Sequence, residues 1–308
     1  MSTFLQQVVN GLTTGSVYAL VALGYTMVYG IIRLINFAHG DLYMVGAFVG
    51  FTLLDQIGSH LGSLNSFLLV PLAFIVPMAT VGILGVVIER VAYRPLRRAP
   101  RLSPLITAIG VSLALETGAL IIWGATFQVF PSILPVAIWD LNGVVISSTQ
   151  VVIFVLTIAL MAVLYLFVQR TMLGKAMRAI AIDQDTARLM GINVDSVISL
   201  TFFIGSMLGA SAGIMAGIYY TSIDFNMGFI IGLKAFTAAV IGGIGNIPGA
   251  MLGGYVLGLL EAGWLIFGPY LNIPNSSSWR DVFVFAILIL VLVFRPTGIL
   301  GEHIVEKV

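Results

Sequence analysis

Residues 170–196 read RTMLGKAMRAIAIDQDTARLMGINVDS, a polar stretch between the apolar runs 151–168 and 197–220. A polar segment of this kind, held between two runs long enough to cross lipid, reads as a helical handle outside the bilayer. The rest of the chain agrees. Of 308 residues, 59% are hydrophobic and only 9% charged, against roughly 45–50% apolar and about 25% charged in soluble domains. The expected fold is all-α: a polytopic membrane helix bundle, with residues 1–308 forming one transmembrane domain. A net charge of +1 leaves no basic field for nucleic acid. The absence of cysteine excludes disulfides and thiolate metal sites. No Lys or Arg occurs in the first 32 residues, so the positive n-region of a cleaved secretory signal is missing. The first apolar segment is expected to stay as a helix.

A crossing takes about 20 apolar residues. Runs near that length lie at 11–32, 67–89, 104–123, 150–169, 197–220 and 247–267, with shorter ones at 40–56, 229–242 and 281–294. That makes eight or nine spans. Basic residues set the orientation. Arg90, Arg94, Arg97, Arg98 and Arg101 crowd one connection, and Arg170, Lys175, Arg178 and Arg188 another, whereas 125–149 carries no Lys or Arg. Both basic connections are expected in the cytoplasm. Arg33 then puts the N-terminus outside, and Arg295 and Lys307 put the C-terminus inside. An odd number of crossings follows, and the connections 222–230 and 271–278 face out.

Two places interrupt the apolar pattern: Asn36-Phe37-Ala38-His39-Gly40-Asp41, and 242–249, which contains Gly243, Gly245, Asn246 and Pro248. Unpaired backbone costs several kcal/mol per group in hydrocarbon, so such breaks survive only against protein or a water-filled cavity. Paired, Gly-rich breaks point to a transport path. The same residues also suit tight turns between two spans, and the two readings are compatible if the turns line the inner mouth of a path. Segment 229–242 is short enough to be a half-helix ending within the bilayer.

Charged residues inside spans usually face the bundle interior or a cavity. Glu116 and Glu261 are the deepest, and neither has a basic partner at helical spacing in its own segment. Lys234 is expected either to pair with an acid on another helix or to snorkel to the outer surface. His39 beside Asp41 falls short of a metal site. Gly205, Gly209, Gly213 and Gly217 recur every four residues, which allows close helix packing with a partner in this chain or another.

Within the handle, helix formers run from Lys175 to Met190, and Gly191 suits a C-cap. Its apolar side is expected to dock into something. Asp185-Thr186-Ala187, followed by Gly191, resembles a degenerate EAA loop of ABC importer permeases. Longer stretches strengthen the likeness: 19–47 (ALVALGYTMVYGIIRLINFAHGDLYMVGA), 88–97 (IERVAYRPLR), 234–254 (KAFTAAVIGGIGNIPGAMLGG) and 295–301 (RPTGILG) resemble the LivH-type permease of branched-chain amino acid ABC importers. The similarity runs over nearly the whole chain.

The resemblance implies a subunit of a bacterial inner-membrane importer. Its partners would be a second, LivM-like permease, two ATP-binding cassette subunits and an extracytoplasmic amino-acid-binding protein. ATP and Mg²⁺ would sit on the cassettes. The only Gly-Lys pair, Gly174-Lys175, has no P-loop around it, so no cofactor is expected in this chain. Asp185, Ala187, Arg188 and Gly191 are the expected coupling residues. Asn36, His39, Gly40, Asp41, Gly243, Gly245, Asn246 and Pro248 are expected to line or shape the path. The rival readings are an ion-coupled secondary transporter using Glu116 or Glu261, and an intramembrane enzyme, for which no catalytic constellation is found.

Overall fold

A computed structural model describes residues 2–60, 66–97, 99–100, 102–134, 137–268 and 275–301. Arg98, Arg101, Lys307 and part of the 271–278 connection lie outside the described residues. Among the described residues nine helices build the bundle: α1 (Ser2–Ile32), α2 (His39–His60), α3 (Ser66–Ile88), α4 (Leu102–Trp123), α5 (Ser148–Arg170), α8 (Val194–Tyr220), α9 (Met227–Gly242), α10 (Ile247–Phe267) and α11 (Arg280–Phe294); seven of them are long and apolar enough to cross a membrane, and α9 is shorter. Every apolar run of the sequence has become one of these nine helices. The handle forms α6 (Met172–Ile182) and α7 (Gln184–Leu189). It is not the single helix expected. Asp183 adopts extended backbone (φ −155°, ψ 114°), ends α6, and caps α7 by accepting from the Asp185 and Thr186 amides. Those bonds and the Thr186 hydroxyl, which is the largest cause, hold the Asp183 carboxyl below its usual range.

The core is organised around α1, whose residues from Val17 to Leu23 are almost wholly inaccessible. Its packing depends on missing side chains. A Cβ on Gly254 of α10 would stand 2.6 Å from Ala19 Cβ, and one on Gly15 of α1 would stand 3.0 Å from the Gly254 carbonyl oxygen. The α8 glycine row finds its partners within this chain. Gly205 faces Gly24 of α1, Gly209 faces His39 and Tyr43, Gly213 faces Tyr43 and Ala47 of α2, and Gly217 faces Phe130. A spacing of four residues drifts about 40° per step on a 3.6-residue helix, so one row serves successive neighbours.

One end of the bundle carries little sheet. β2 (Ile138–Leu141) and β3 (Val144–Ser147) form a hairpin, and β1 (Gln128–Val129) pairs antiparallel with β4 (Ser222–Ile223). The all-α reading passed over the hairpin. Its signal was the Asn142-Gly143 pair, which takes positive φ at both positions (56° and 87°) as a two-residue turn requires. The other end carries the handle, the second helix break and the 295–301 turn. The two ends are called the hairpin end and the handle end below.

Replacing Gly254 with Leu should push α1 from α10. An overpacking cost of about 1–3 kcal/mol or more is expected, measurable as a lowered unfolding temperature in detergent relative to the same change at Gly263, which has open space around it.

Candidate translocation site

The two breaks are built differently. After Ile32 the chain turns at Arg33 (φ 53°) and runs back into the bundle before α2 begins. The His39 ring lies against Gly24, eight residues inside α1, so α2 starts about 12 Å above the end of α1 at 1.5 Å per residue. Asn36, His39 and Asp41 are all buried. The Tyr93 hydroxyl donates to Asn36 Oδ1 at 2.7 Å, and Tyr25 meets the His39 ring edge-on at 4.9 Å between centroids. Gly40 lets α2 approach Gly232 of α9 with no side chain between them. This break is a re-entrant segment inside the bundle.

The second break stays at the handle end. Gly243 and Gly245 take left-handed backbone (φ 105° and 96°), and Gly245 lies against Gly30 near the end of α1. Asn246 caps α10 by accepting from the Gly249 amide at 2.9 Å, and its Nδ2 donates to the Leu300 carbonyl at 2.9 Å. The Ile299 and Leu300 amides donate to the Ile241 and Gly242 carbonyls at 2.8 and 3.0 Å. The free carbonyls at the end of α9 are thus closed by the 295–301 turn. Pro248 sits in the first turn of α10, where its missing N–H is no loss. Gly243 and Asn246 are therefore held by the chain's own C-terminal turn, whereas Gly245 and Pro248 are exposed at the handle end.

The charges at membrane depth fall into two groups. Lys234 does not snorkel. Its Nζ lies 2.9 Å from Glu261 Oε1 and 2.7 Å from Asp281 Oδ1. Arg280 Nε also reaches Glu261 Oε1 at 2.8 Å, and the Tyr18 hydroxyl donates to Glu261 Oε2 at 2.7 Å. Glu261 is thus fully engaged, with α1, α9, α10 and α11 tied together at one point. Tyr18, Arg280 and Asp281 were not picked out from the sequence, although adjacent opposite charges at the start of α11 were a visible signal.

Asp41 and Glu116 form the second group. Among the described residues neither makes an ion pair. The Asp41 carboxylate is buried in the first turn of α2. It stands next to Ser112 of α4, within electrostatic reach of Glu116, and against Gly228 in the first turn of α9. Ser112 and Glu116 line a cavity of about 690 Å³ that opens sideways between α4 and α9. Apart from Asn226 its other walls are apolar, with Phe37, Ile109, Leu113 and Phe229 among them.

At the handle end the arginine connection does more than set topology. Glu89 opens a π-helical turn (Glu89–Tyr93) after α3 and is fully buried. Arg97 pairs with Glu89 and, at 2.6 Å, with Asp195 in the first turn of α8. Arg94 also pairs with Asp195, and the Ser199 hydroxyl donates to Glu89 at 2.6 Å. This clamp joins α3 to α8 just past the handle. The handle itself packs through Met177, Ile180 and Ala187, all buried. It turns Ile182, Leu189 and Met190 outward, each more than three-quarters exposed. Asp185 and Arg188 are exposed and pair with each other at 2.9 Å. Gly191 closes α7 with φ 82° and open space around it.

A bundle with seven membrane-length helices among the described residues, buried charges and an exposed handle defines a multi-pass membrane protein. The chain belongs to the family described as branched-chain amino acid transport system / permease component, whose model matches residues 7–292. It is 49% identical to the high-affinity branched-chain amino acid transport system permease protein BraD of Pseudomonas aeruginosa, over 99% of this chain and 98% of that protein. It is 46% identical to the corresponding permease LivH of Escherichia coli, again over 99% and 98%. A shorter likeness, 30% identical over 45% of this chain and 43% of the other, links it to a probable LivM permease of Methanocaldococcus jannaschii.

Removing one partner from a buried ionic group costs about 3–5 kcal/mol, whereas replacing the pair with apolar residues is near neutral. Lys234→Met should therefore lower thermal stability strongly, and Lys234→Met with Glu261→Leu should recover much of the loss. Arg97→Met, which leaves Glu89 buried with only Ser199, should destabilise similarly. A melting temperature unchanged in both single variants would refute this account of the two clusters.

Proposed function

We propose that this chain is one of two permease halves of an ATP-driven importer for branched-chain or related amino acids in a bacterial inner membrane. Near-full-length identity to BraD and LivH carries the reading. The chain's partners are a second, LivM-like permease, two ATP-binding cassette subunits and an extracytoplasmic amino-acid-binding protein. ATP and Mg²⁺ are bound by the cassettes. The partial likeness to a LivM permease supports a heteromeric pair.

The handle end lies in the cytoplasm and the N-terminus outside. Arg33, Arg90, Arg94, Arg97, Arg170, Lys175, Arg178, Arg188 and Arg295 all fall at that end, whereas the described basic residues elsewhere are Lys234, held inside, and Arg280. That asymmetry is what the positive-inside rule requires.

The outward apolar residues of the handle dock on a cassette. Asp185, Arg188 and Gly191 shape the exposed surface, and Ala187 anchors it to the bundle. Cassette closure pushes α7, and the push passes through α8 to the α2–α9 region, where the path lies. A ligand shifts a conformational balance only through different affinity for the two states. Closure supplies that difference from inside, and the loaded binding protein supplies it from outside. The path is proposed to run past the re-entrant break, with Asn36, His39, Gly40 and Asp41, and along the side cavity, closed over by the second permease. Gly243, Gly245, Asn246 and Pro248 shape its inner mouth.

Capture of the tagged chain from its native membrane in mild detergent should bring down a P-loop ATPase and a second permease. Recovery of this chain alone, in a flux-competent form, would favour an ion-coupled transporter instead. Gly191→Val forces a β-branched residue into left-handed backbone, at about 1–2 kcal/mol. Because no neighbour is crowded, the complex should still assemble, while leucine uptake per ATP hydrolysed should fall. Unchanged coupling in that variant would remove Gly191 from the coupling surface.

A further inference from the structure

We infer that the π-helical turn Glu89–Tyr93 is a coupling joint, which grips the start of α8 with one end and positions Asn36 of the re-entrant break with the other. The inference rests on the importer reading above and adds to it a second, polar route from the handle to the path.

The route starts at the handle. The chain between α7 and α8 is short and closed by its own bonds. The Ile192 amide donates to the Ala187 carbonyl at 3.1 Å, and Asn193 caps α8 by accepting from the Ser196 amide at 3.1 Å. A displacement of α7 is therefore handed to the first turn of α8. From there Asp195, Ser199, Phe202 and Ser206 follow one another at three- and four-residue intervals, which puts them on one face of the helix. All four meet α3 or the turns that follow it. Asp195 accepts from Arg94 and Arg97, and the Ser199 hydroxyl donates to Glu89. The Phe202 ring lies 5.5 Å from that of Tyr93, and Ser206 occupies the space that a side chain at Gly85 would take.

These bonds are of a kind that transmits position. Arg97 donates through one guanidinium nitrogen to Asp195 and through the other to Glu89. A planar guanidinium fixes its two carboxylates relative to each other, which a flexible ammonium would not. Glu89 is fully buried, and its carbonyl accepts from the Arg94 amide, the bond that widens the helix into a π-turn. Such turns are rare and are found frequently at functional sites. At the far end of the turn Tyr93 is 1% exposed, and its hydroxyl donates to Asn36 Oδ1 at 2.7 Å. Among the described residues this is the one hydrogen bond that the structure gives the Asn36 side chain. The Asn36 carbonyl in turn accepts from the His39 amide at 3.0 Å, where α2 begins. The Tyr93 hydroxyl takes no part in holding α3 on α8. What it adds is the link to the break, so Tyr93 is a positioning residue for the path.

The assembled complex is compared with four variants. Tyr93→Phe removes only the link to Asn36. Asp195→Ala with Ser199→Ala unhooks α8 and leaves the buried Glu89–Arg97 pair in place. A third variant combines these changes. Tyr18→Phe removes a buried tyrosine hydroxyl of the same kind from the Glu261 cluster, off this route. Two quantities are read: leucine uptake per ATP hydrolysed in proteoliposomes, and amide hydrogen exchange at residues 36–42. Tyr93→Phe and the unhooked variant should each lower uptake per ATP several-fold and speed exchange at 36–42. Tyr18→Phe should leave both close to wild type. The combined variant should be no worse than Tyr93→Phe, because residues acting in one chain of contacts are not additive. Wild-type uptake per ATP in Tyr93→Phe, or exchange at 36–42 unmoved by unhooking α8, would overturn the assignment. So would an additive loss in the combined variant, or a loss in Tyr18→Phe as large as in Tyr93→Phe. Exchange needs neither ATP nor substrate. A wild-type complex that imports no leucine would count against the importer reading, while the exchange pattern would still decide whether the π-turn joins α8 to the break.

Discussion

Hydrocarbon offers no partner to a free N–H or C=O, so every point at which this chain leaves helical structure has to be closed by protein. The two breaks meet that demand in opposite ways. The first is drawn into the bundle, where Tyr93 holds Asn36 and the α2 start is walled by α1, α8 and α9. The second is kept at the handle end and sealed by amides from the 295–301 turn. A sealed break is fixed, and its residues are occupied with one another. A break enclosed by neighbouring helices puts polar groups at depth without exhausting them. The same requirement therefore yields a rigid joint in one place and a chemically open pocket in the other.

The charges follow the same division. Glu261 is met by Lys234, Arg280 and the Tyr18 hydroxyl, so α9, α10 and α11 are tied to α1 through one carboxylate. Such a cluster stabilises little relative to apolar packing, but it makes the wrong packing costly, because any displaced member becomes a lone buried charge. Asp41 and Glu116 receive no such treatment, although they lie on helices packed against the same core.

Much of this was legible in the sequence, because lipid imposes a length and a polarity on each span. All nine segments, the position of both breaks and the handle follow from apolar runs and their interruptions. Asp183 was harder to read. Helix formers continue on both sides of it, and only its side chain, bonded to the Asp185 and Thr186 amides, starts a new helix there. The partners of Lys234 and Glu89 were not legible, since each lies on another helix and pairing across a bundle leaves no spacing rule. The second break was read as part of the path from its glycines, Asn246 and Pro248 and from its pairing with the first break. Gly243 and Gly245 also take left-handed backbone, and Gly243 approaches residues 298–301, which nothing local announces.

The way the helices touch also bears on how a push at the handle could travel. Ala187 and Ile180 rest on the bundle, and Asp195, four residues past Gly191, is gripped by Arg94 and Arg97. α8 therefore cannot move without engaging the π-turn of α3. Further along, its glycines bring its backbone against α1 at Gly24 and against α2 at Tyr43 and Ala47. Contacts of this kind have no flexible side chains to absorb a displacement, and close-packed interiors transmit strain instead of damping it. The residue two positions before Tyr43 is Asp41. In the proposed importer a shift of α8 delivered at the handle arrives at the first turn of α2, where Asp41 is buried. In that importer, a push on the handle is thus passed to the helix that begins at the re-entrant break.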